Sequence, residues 1–598
     1  MKMRLNSLKQ HSLLVFSLVF FVVGIVIRSW SISSIPAFVV SDEIQYISEA
    51  RSLILSGHDL TGVWTPWSLT SSHGWYAELP GVILMPAVIL FWNQPMLAAK
   101  ATHIFMGAII PLLLAGIAYS LFKNKQLSIW VLLVACFNPW FFQFSRLAFE
   151  SYFSVFFYLV GIFLYLRFTD WKKLLAILPF FIGFFQYQGH KLLLLPFIAI
   201  LFVYSLTAYW PYKKISFIKT IVLEKYSLVV LLFAILLTAL FILRLPSQAA
   251  GTRITQMTFM DQSALASQVN VERRLSLSNS FEPLFVNKAT VLFDDMISKY
   301  FGSFNLVYLF SGGANASDSW AVTSHGKFFA LDIVLFIFGI AMISVKKYRS
   351  GVLLILFLLL VSPLPAVVAQ GQIWATFRTA FIIPFSLIII GLGMWWFQNI
   401  MSKKMFVVFL GLYVLAMLPF YYDYFYRYPI YSTSDVYFYN RVVANYLKRI
   451  DGQSDTRKTL FLSDEKRHLY ITLLFYNGWL NTDSYPSISD TTQKGVYRYK
   501  NIEVRENCLD EKLLSEHPLL LSQRHMGYCA DTDDSSFEGV NRLTIPSLVD
   551  SGEVIKIYGD TFCSQYQLNT FSAVKENSFN LESLSDEEFC QTFFIQYK

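Results

Sequence analysis

The sequence predicts a mainly α, polytopic membrane protein of about eleven transmembrane helices, followed by a small C-terminal extracytoplasmic α/β domain. Three observations carry this. Of the 598 residues, 55% are hydrophobic and only 15% charged, where soluble chains hold about a quarter charged residues. Apolar runs long enough to cross a bilayer recur between residues 12 and 420. Beyond residue 430 the composition turns polar, and Cys508, Cys529, Cys563 and Cys590 all fall there.

The first span covers residues 12–30. Its basic start (Lys2, Arg4, Lys9) resembles a secretory leader, but Arg28-Ser29-Trp30 follows where a small-x-small cleavage site would stand, so an uncleaved span is expected. A long outer loop then occupies about 31–96. Within it, 81–92 (GVILMPAVILFW) is apolar but too short to cross unaided, and Pro80 and Pro86 interrupt it; an interfacial or re-entrant piece is expected. Further spans are expected at 97–121, 126–143, 149–168, 172–189, 191–210 and 226–244, and, after a second outer loop at about 245–327, at 328–345, 351–369, 379–397 and 404–420.

Charge orients this count. Lys123 and Lys125, then Arg167, Lys172 and Lys173, then Lys213, Lys214, Lys219 and Lys225, then Lys346, Lys347 and Arg349, and finally Lys403 and Lys404 all fall in turns that the count places inside. Basic residues collect in cytoplasmic loops, so the N-terminus is expected in the cytoplasm and the C-terminal domain outside, in the plasma membrane of a prokaryote. Counting 81–92 as a span would put every one of these turns on the wrong side. The same loops account for the net charge of +8, which therefore implies no nucleic-acid partner.

The catalytic part is expected over 1–430 and the mixed α/β domain over 431–598. Between them, 421–431 is rich in tyrosine, as in an interfacial collar. A helix is expected over 436–450 and strands over 459–463, 497–505, 518–522 and 554–558. Cys136 lies in an apolar run, as an inert buried thiol does. The four C-terminal cysteines suit two disulfides, with all three connectivities open.

The span centres carry almost no charge. Ionisable residues gather instead at the outer ends: Asp42, Glu43, Lys100, His103, Arg146, Glu150, His190, Lys191, Asp332 and Arg378. Single residues of this kind serve as interfacial anchors. Together, under two long outer loops, they describe a polar cavity at the outer face. A lipid-linked sugar phosphate fits such a place, with its tail in the bilayer and its anion at the interface. Arg146, Lys191 and Arg378 would meet the phosphate. Asp42 or Glu43 would take the proton of an attacking hydroxyl. Glu150 is a structural alternative, four residues after Arg146 and able to pair with it on one helix.

Several motifs in order resemble the GT-C membrane glycosyltransferases, family 39 and its relatives among the protein O-mannosyltransferases and aminoarabinose transferases. They are Asp42-Glu43-Ile44-Gln45-Tyr46 with Ser56-Gly57-His58-Asp59; Tyr76-Ala77-Glu78-Leu79-Pro80; Ser145-Arg146-Leu147-Ala148-Phe149-Glu150; Tyr187-Gln188-Gly189-His190-Lys191; the loop 304–326 with Ser311-Gly312-Gly313 and Ser324-His325-Gly326; and Phe377-Arg378-Thr379 before Ile383-Pro384. The resemblance covers about residues 1–430. It implies transfer, with inversion, of a sugar from a polyprenyl-phosphate donor to a glycan, lipid or protein acceptor, with Asp42 as base and Arg378 and Lys191 on the phosphate. Tyr46, His73, Tyr76, Glu78, Glu150, His190 and His325 would line the substrate cavity. Some relatives carry a basic residue where this chain has Glu78, and the C-terminal domain matches none. A lipid-linked glycan polymerase or ligase, and a transporter or flippase, are the alternatives; the uncharged span centres speak against transport.

Asp42-Glu43 lacks the D-x-D spacing of metal-dependent relatives, and His58, His73 and His325 lack ligand spacing, so no metal or other cofactor is expected. Full transfer activity in excess chelator is the expected outcome; loss of activity rescued by Mg or Mn would contradict it.

Overall fold

A computed structural model describes residues 2–68, 78–207, 223–244, 262–312, 322, 325–369, 377–434, 436–452, 457–523, 542–568, 574 and 576–597. The first part of the chain is helical: α1 (Lys2–Ser29), α2 (Ser41–Ser56), α3 (Pro80–Phe91), α4 (Pro95–Phe122), α5 (Lys125–Phe137), α6 (Pro139–Phe144), α7 (Glu150–Arg167), α8 (Ile177–Phe184) and α9 (Lys191–Thr207). Among the described residues, six helices are long and apolar enough to cross a membrane: α4, α7, Lys225–Arg244, Arg349–Val368, Ile382–Ile400 and Lys403–Tyr431. Shorter apolar helices, Val15–Ser29, α3, α5, α9 and Asp332–Ser344, stand beside them. The chain is thus a multi-pass membrane protein.

Three expected spans are broken, 351–369 among them at Ser362-Pro363. The run 126–143 divides into α5 and α6 at Asn138-Pro139. Pro139 brings no N–H to continue α5, and the Asn138 side chain caps the new helix by accepting from the Phe141 N–H at 3.0 Å. The run 172–189 begins as a 3₁₀ turn, Trp171–Ala176, and continues as the eight-residue α8. Lys173 explains the tight start. Its Nζ is buried at the base of the bundle, 3.0 Å from Glu224 Oε2 and 2.8 Å from Ser227 Oγ, and 4.7 Å above the Tyr165 ring. The segment 81–92 forms a separate short helix, α3, whose Gly81 lies against the Tyr46 carbonyl and Ala50 N of α2.

Close packing follows small residues. The helices Asp332–Ala341 and Ile382–Ile400 cross where Gly339 faces the Ile389 carbonyl and Gly393 faces the Leu335 carbonyl. A β-carbon at either glycine would collide with backbone. Small residues let helix backbones approach in this way.

A seven-stranded sheet follows the bundle, in the order β2-β3-β1-β4-β6-β5-β7. The strands are β1 (Thr459–Leu462), β2 (Tyr497–Tyr499), β3 (Ile502–Arg505), β4 (Leu519–Gln523), β5 (Arg542–Pro546), β6 (Glu553–Tyr558) and β7 (Ile595–Tyr597). β3, β1 and β4 run parallel; the other pairs are antiparallel. Alternation sorts the side chains. Phe461, Leu519 and Leu521 face a core continuous with the helix bundle, whereas Leu460, Leu462 and Leu520 pack on Leu513 of the helix Glu511–Glu516. The expected strand 497–505 is a hairpin, turned at Lys500 with φ +51°. β5 and β7, like the helix Lys466–Asn477, were not anticipated. Cys563 and Cys590 form a disulfide, Cys508 is disulfide-bonded, and Cys136 is free and buried; Cys529 lies outside the described residues.

Gly393→Leu is therefore expected to abolish folded, detergent-stable protein, while Gly411→Leu, at a position with open space around it, leaves the yield unchanged. Size-exclusion profiles of the two variants check this; equal monodisperse yields would contradict the close crossing.

Candidate active site

α2 is the element on which the bundle and the C-terminal layer converge. Asp42 and Glu43 occupy its first turn, where carboxylates favour the positive end of the helix dipole. Gly57 ends it in the left-handed region, φ +76°, with its N–H donating to the Leu53 carbonyl at 2.9 Å.

The two acids have different surroundings. Glu43 is 1% exposed. Its Oε2 accepts from the Val40 N–H at 3.1 Å, and its Oε1 from the Ala148 N–H at 2.8 Å. Val40 has no side-chain acceptor, so only this half of a capping box exists. Ala148 lies in the link between α6 and α7, so the carboxylate ties that link to the start of α2. Burial pushes the Glu43 carboxyl up to about 7, opposed by the two amide donors and by the Lys100 charge, with Asp42 adding to the rise. Asp42 itself is exposed.

The strand-like approach to α2 is held by buried cations. Lys100 of α4 donates to the Pro36 carbonyl at 2.8 Å. Arg146 donates to the carbonyls of Arg28 (2.6 Å) and Ile35 (2.8 Å) and to the Tyr424 hydroxyl (3.0 Å). It lies wholly inside the protein among the Phe142, Tyr424 and Phe425 rings. Arg146 thus sits in a non-helical link as an interior strut, and no single helix joins it to Glu150, which opens α7 and is partly buried. From the C-terminal side, Arg441 donates to the Ala37 carbonyl at 2.6 Å and to Glu582 Oε2 at 2.7 Å. The Val39 N–H donates to the Tyr476 hydroxyl at 3.1 Å, and Arg51 donates to the Leu480 carbonyl at 3.1 Å. Arg441 and Tyr476 were missed in the sequence. The signal was there for Arg441, a charge three residues after Phe438 on the apolar face of the helix Val436–Gly452.

A second group adjoins the first through aromatic rings. Phe149, next to Ala148, stacks on Phe377 at 5.8 Å, and Phe377 meets Tyr187 edge-on at 6.0 Å. His190 Nε2 lies 3.1 Å from the Phe377 carbonyl. The Arg378 guanidinium lies 5.9 Å over the Phe377 ring and the residue is partly buried. Lys191 Nζ is 2.6 Å from Glu78 Oε1, both buried, and 4.4 Å from the Phe241 ring. The acidic Glu78 is thereby answered by Lys191. Four segments far apart in sequence, around residues 42, 148, 190 and 378, are thus contiguous.

Apart from Tyr46, the remaining candidates among the described residues lie elsewhere. Tyr46 is buried in α2. His325 Nε2 is 2.9 Å from Asp423 Oδ2, whose other oxygen accepts from Arg427 at 3.1 Å, in the tyrosine-rich collar. Asp332 is buried, accepting from the Tyr413 hydroxyl at 2.6 Å and the Phe329 N–H at 3.0 Å, and so fastens two helices. His73 and Tyr76 lie outside the described residues. Among the described residues no group of three His, Cys, Asp or Glu is placed to hold a metal ion.

No family model matches this sequence, and no curated protein does. Among solved structures the chain is similar to the Archaeoglobus fulgidus oligosaccharyltransferase tethered to an acceptor peptide, at 11% identity and TM-score 0.43, over 87% of this chain and 70% of that one. It is similar to AglB from the same organism in complex with an inhibitory peptide and a dolichol-phosphate, at 11% and 0.42, over 93% and 75%. It is also similar to ArnT from Cupriavidus metallidurans, at 12% and 0.37, over 90% and 97%.

Folding raises Glu43 from its ordinary 4.5 to about 7, so the folded state binds this proton more tightly than the unfolded chain. The associated stability is complete below the ordinary value and is lost as pH rises through 7. The thermal midpoint of the purified protein is expected to fall more steeply across that window than that of Glu43→Gln. Parallel profiles would contradict the assignment.

Proposed function

We propose that this chain is an inverting glycosyltransferase of the membrane surface, moving a sugar from a polyprenyl-phosphate donor to an acceptor hydroxyl outside the cytoplasm. The observation that carries the proposal is the difference between the two neighbouring acids. Glu43 is immobilised by two backbone donors, one of them Ala148, whose neighbour Phe149 stacks on Phe377 next to Arg378, and Asp42 is left exposed on the same helix turn. Sites built on rigid elements hold reactive groups in place.

In this mechanism Asp42 accepts the proton of the acceptor hydroxyl as its oxygen bonds to the anomeric carbon. The bond from that carbon to the donor phosphate oxygen breaks, and the electron pair leaves with the phosphate. Arg378 meets the developing charge; a guanidinium can fork onto two phosphate oxygens. Glu43, Lys100 and Arg146 are positioning residues. Lys191, with its charge answered by Glu78, is a weaker phosphate ligand than Arg378. The basic turns at the other ends of the spans support the orientation, and the Cys563–Cys590 disulfide suits an oxidising compartment.

A polymerase or ligase would use the same base on a longer glycan. A flippase would need no base. Asp42→Asn is expected to lower transfer by roughly 10²–10⁴-fold while donor binding persists. The check is mass spectrometry of acceptor incubated with lipid-linked sugars from a strain lacking the protein. Undiminished transfer by Asp42→Asn would contradict the role of Asp42.

A further inference from the structure

The carboxyl ends of β1 and β4 open onto a cavity of about 380 Å³ that holds none of the residues given to the transfer reaction. Its place in the fold is informative. After β1 the chain passes through the helix Lys466–Asn477 to the β3 side; after β3 it returns past β1, through the helix Glu511–Glu516, to β4. The first helix packs on the face holding Phe461 and the second on the face holding Leu460. Crossovers that diverge in this way leave a crevice at the strand ends, where open α/β sheets bind ligands. The volume lies within the range of about 300–1,000 Å³ usual for small-molecule sites.

The lining is polar in a particular way. At the floor, Asn440 is 7% exposed and Gln523 8%. Gln523 Nε2 donates to Asn440 Oδ1 at 3.2 Å, and Gln523 Oε1 accepts from Ser463 Oγ at 2.8 Å. This network fixes the Asn440 amide with its NH₂ group toward the cavity, and that group has no hydrogen-bond partner among the described residues. The residue is buried, yet this nitrogen stays accessible at the cavity floor, placed to meet a ligand or water. Around the rim stand Asp464, Glu465, Asp550 and Glu553, and among the described residues no lysine or arginine lines the cavity.

We propose that this cavity binds a saccharide unit carrying no negative charge. The Asn440 NH₂ would donate to one sugar oxygen, and the rim carboxylates would accept from neighbouring hydroxyls. Val436 and Val554, both partly buried, supply the apolar part of the wall for a sugar face. Glu553 is paired with Arg542 and Lys556, but with Asp464, Glu465 and Asp550 the described rim keeps an excess of acid, which repels phosphates and uronic acids. A chelated metal ion is not the occupant, because these acids do not converge on one point. The site is independent of the role given to Asp42.

The test uses the full chain in lipid nanodiscs and saturation-transfer NMR. The probes are the methyl glycosides of glucose, mannose, galactose and N-acetylglucosamine, with methyl glucuronide as the anionic counterpart. At least one neutral glycoside is expected to give a saturable signal and the glucuronide none. Asn440→Ala and the exposed Asp464→Asn are each expected to weaken that binding by roughly tenfold. Asp464 is exposed, so its substitution keeps the test informative if Asn440→Ala misfolds. Asp42→Asn is expected to leave the signal unchanged, which separates this site from the transfer site. The proposal is overturned if no neutral glycoside saturates, if the glucuronide binds equally well, if Asp464→Asn binds like the wild type, or if Asp42→Asn removes the signal.

Discussion

One buried carboxylate joins the parts of this protein. Glu43 accepts from the amide that begins its own helix and from Ala148, 105 residues later. An ionisable group in an apolar interior is costly, and it persists where hydrogen bonds and a nearby opposite charge compensate it. The two backbone donors and Lys100 supply that compensation. In return the start of α2, the α6–α7 link and the Phe149–Phe377 stack become one rigid body.

The C-terminal layer completes the same construction from the other side. Arg441, Tyr476 and the Leu480 carbonyl all bond to the segment 37–51. The apolar core runs without interruption from the spans into the sheet. The layer is therefore part of what fixes the first-turn acids of α2, and changes there will reach Asp42 through backbone carbonyls.

Much of this was legible in the sequence because its physics is local. Apolar length places the spans, whereas α2 lies within 31–96, which reads as an outer loop, and its helix emerges only in the fold. Alternation in 459–463 and 554–558 marks strands. What stayed hidden depends on partners distant in the chain. Arg146 and Lys191 are cations at span ends whether they face a ligand or a buried acceptor; only the fold shows Arg146 on three backbone carbonyls and Lys191 on Glu78. Lys173 looks like a cytoplasmic anchor, yet Glu224 draws it inside and shortens the helix that follows. Asp42 and Glu43 are indistinguishable as letters, and burial separates them.

The central claim is that residues 42 and 378 border one lipid-phosphate site on the non-cytoplasmic face. Labelling of Asp42→Cys and Arg378→Cys, each in a Cys136→Ser background and read against that background alone, with a membrane-impermeant maleimide on intact cells tests it most directly. Both positions should label from outside, and undecaprenyl phosphate added to the purified protein should slow both. Labelling from opposite faces, or no protection at either position, would contradict the account.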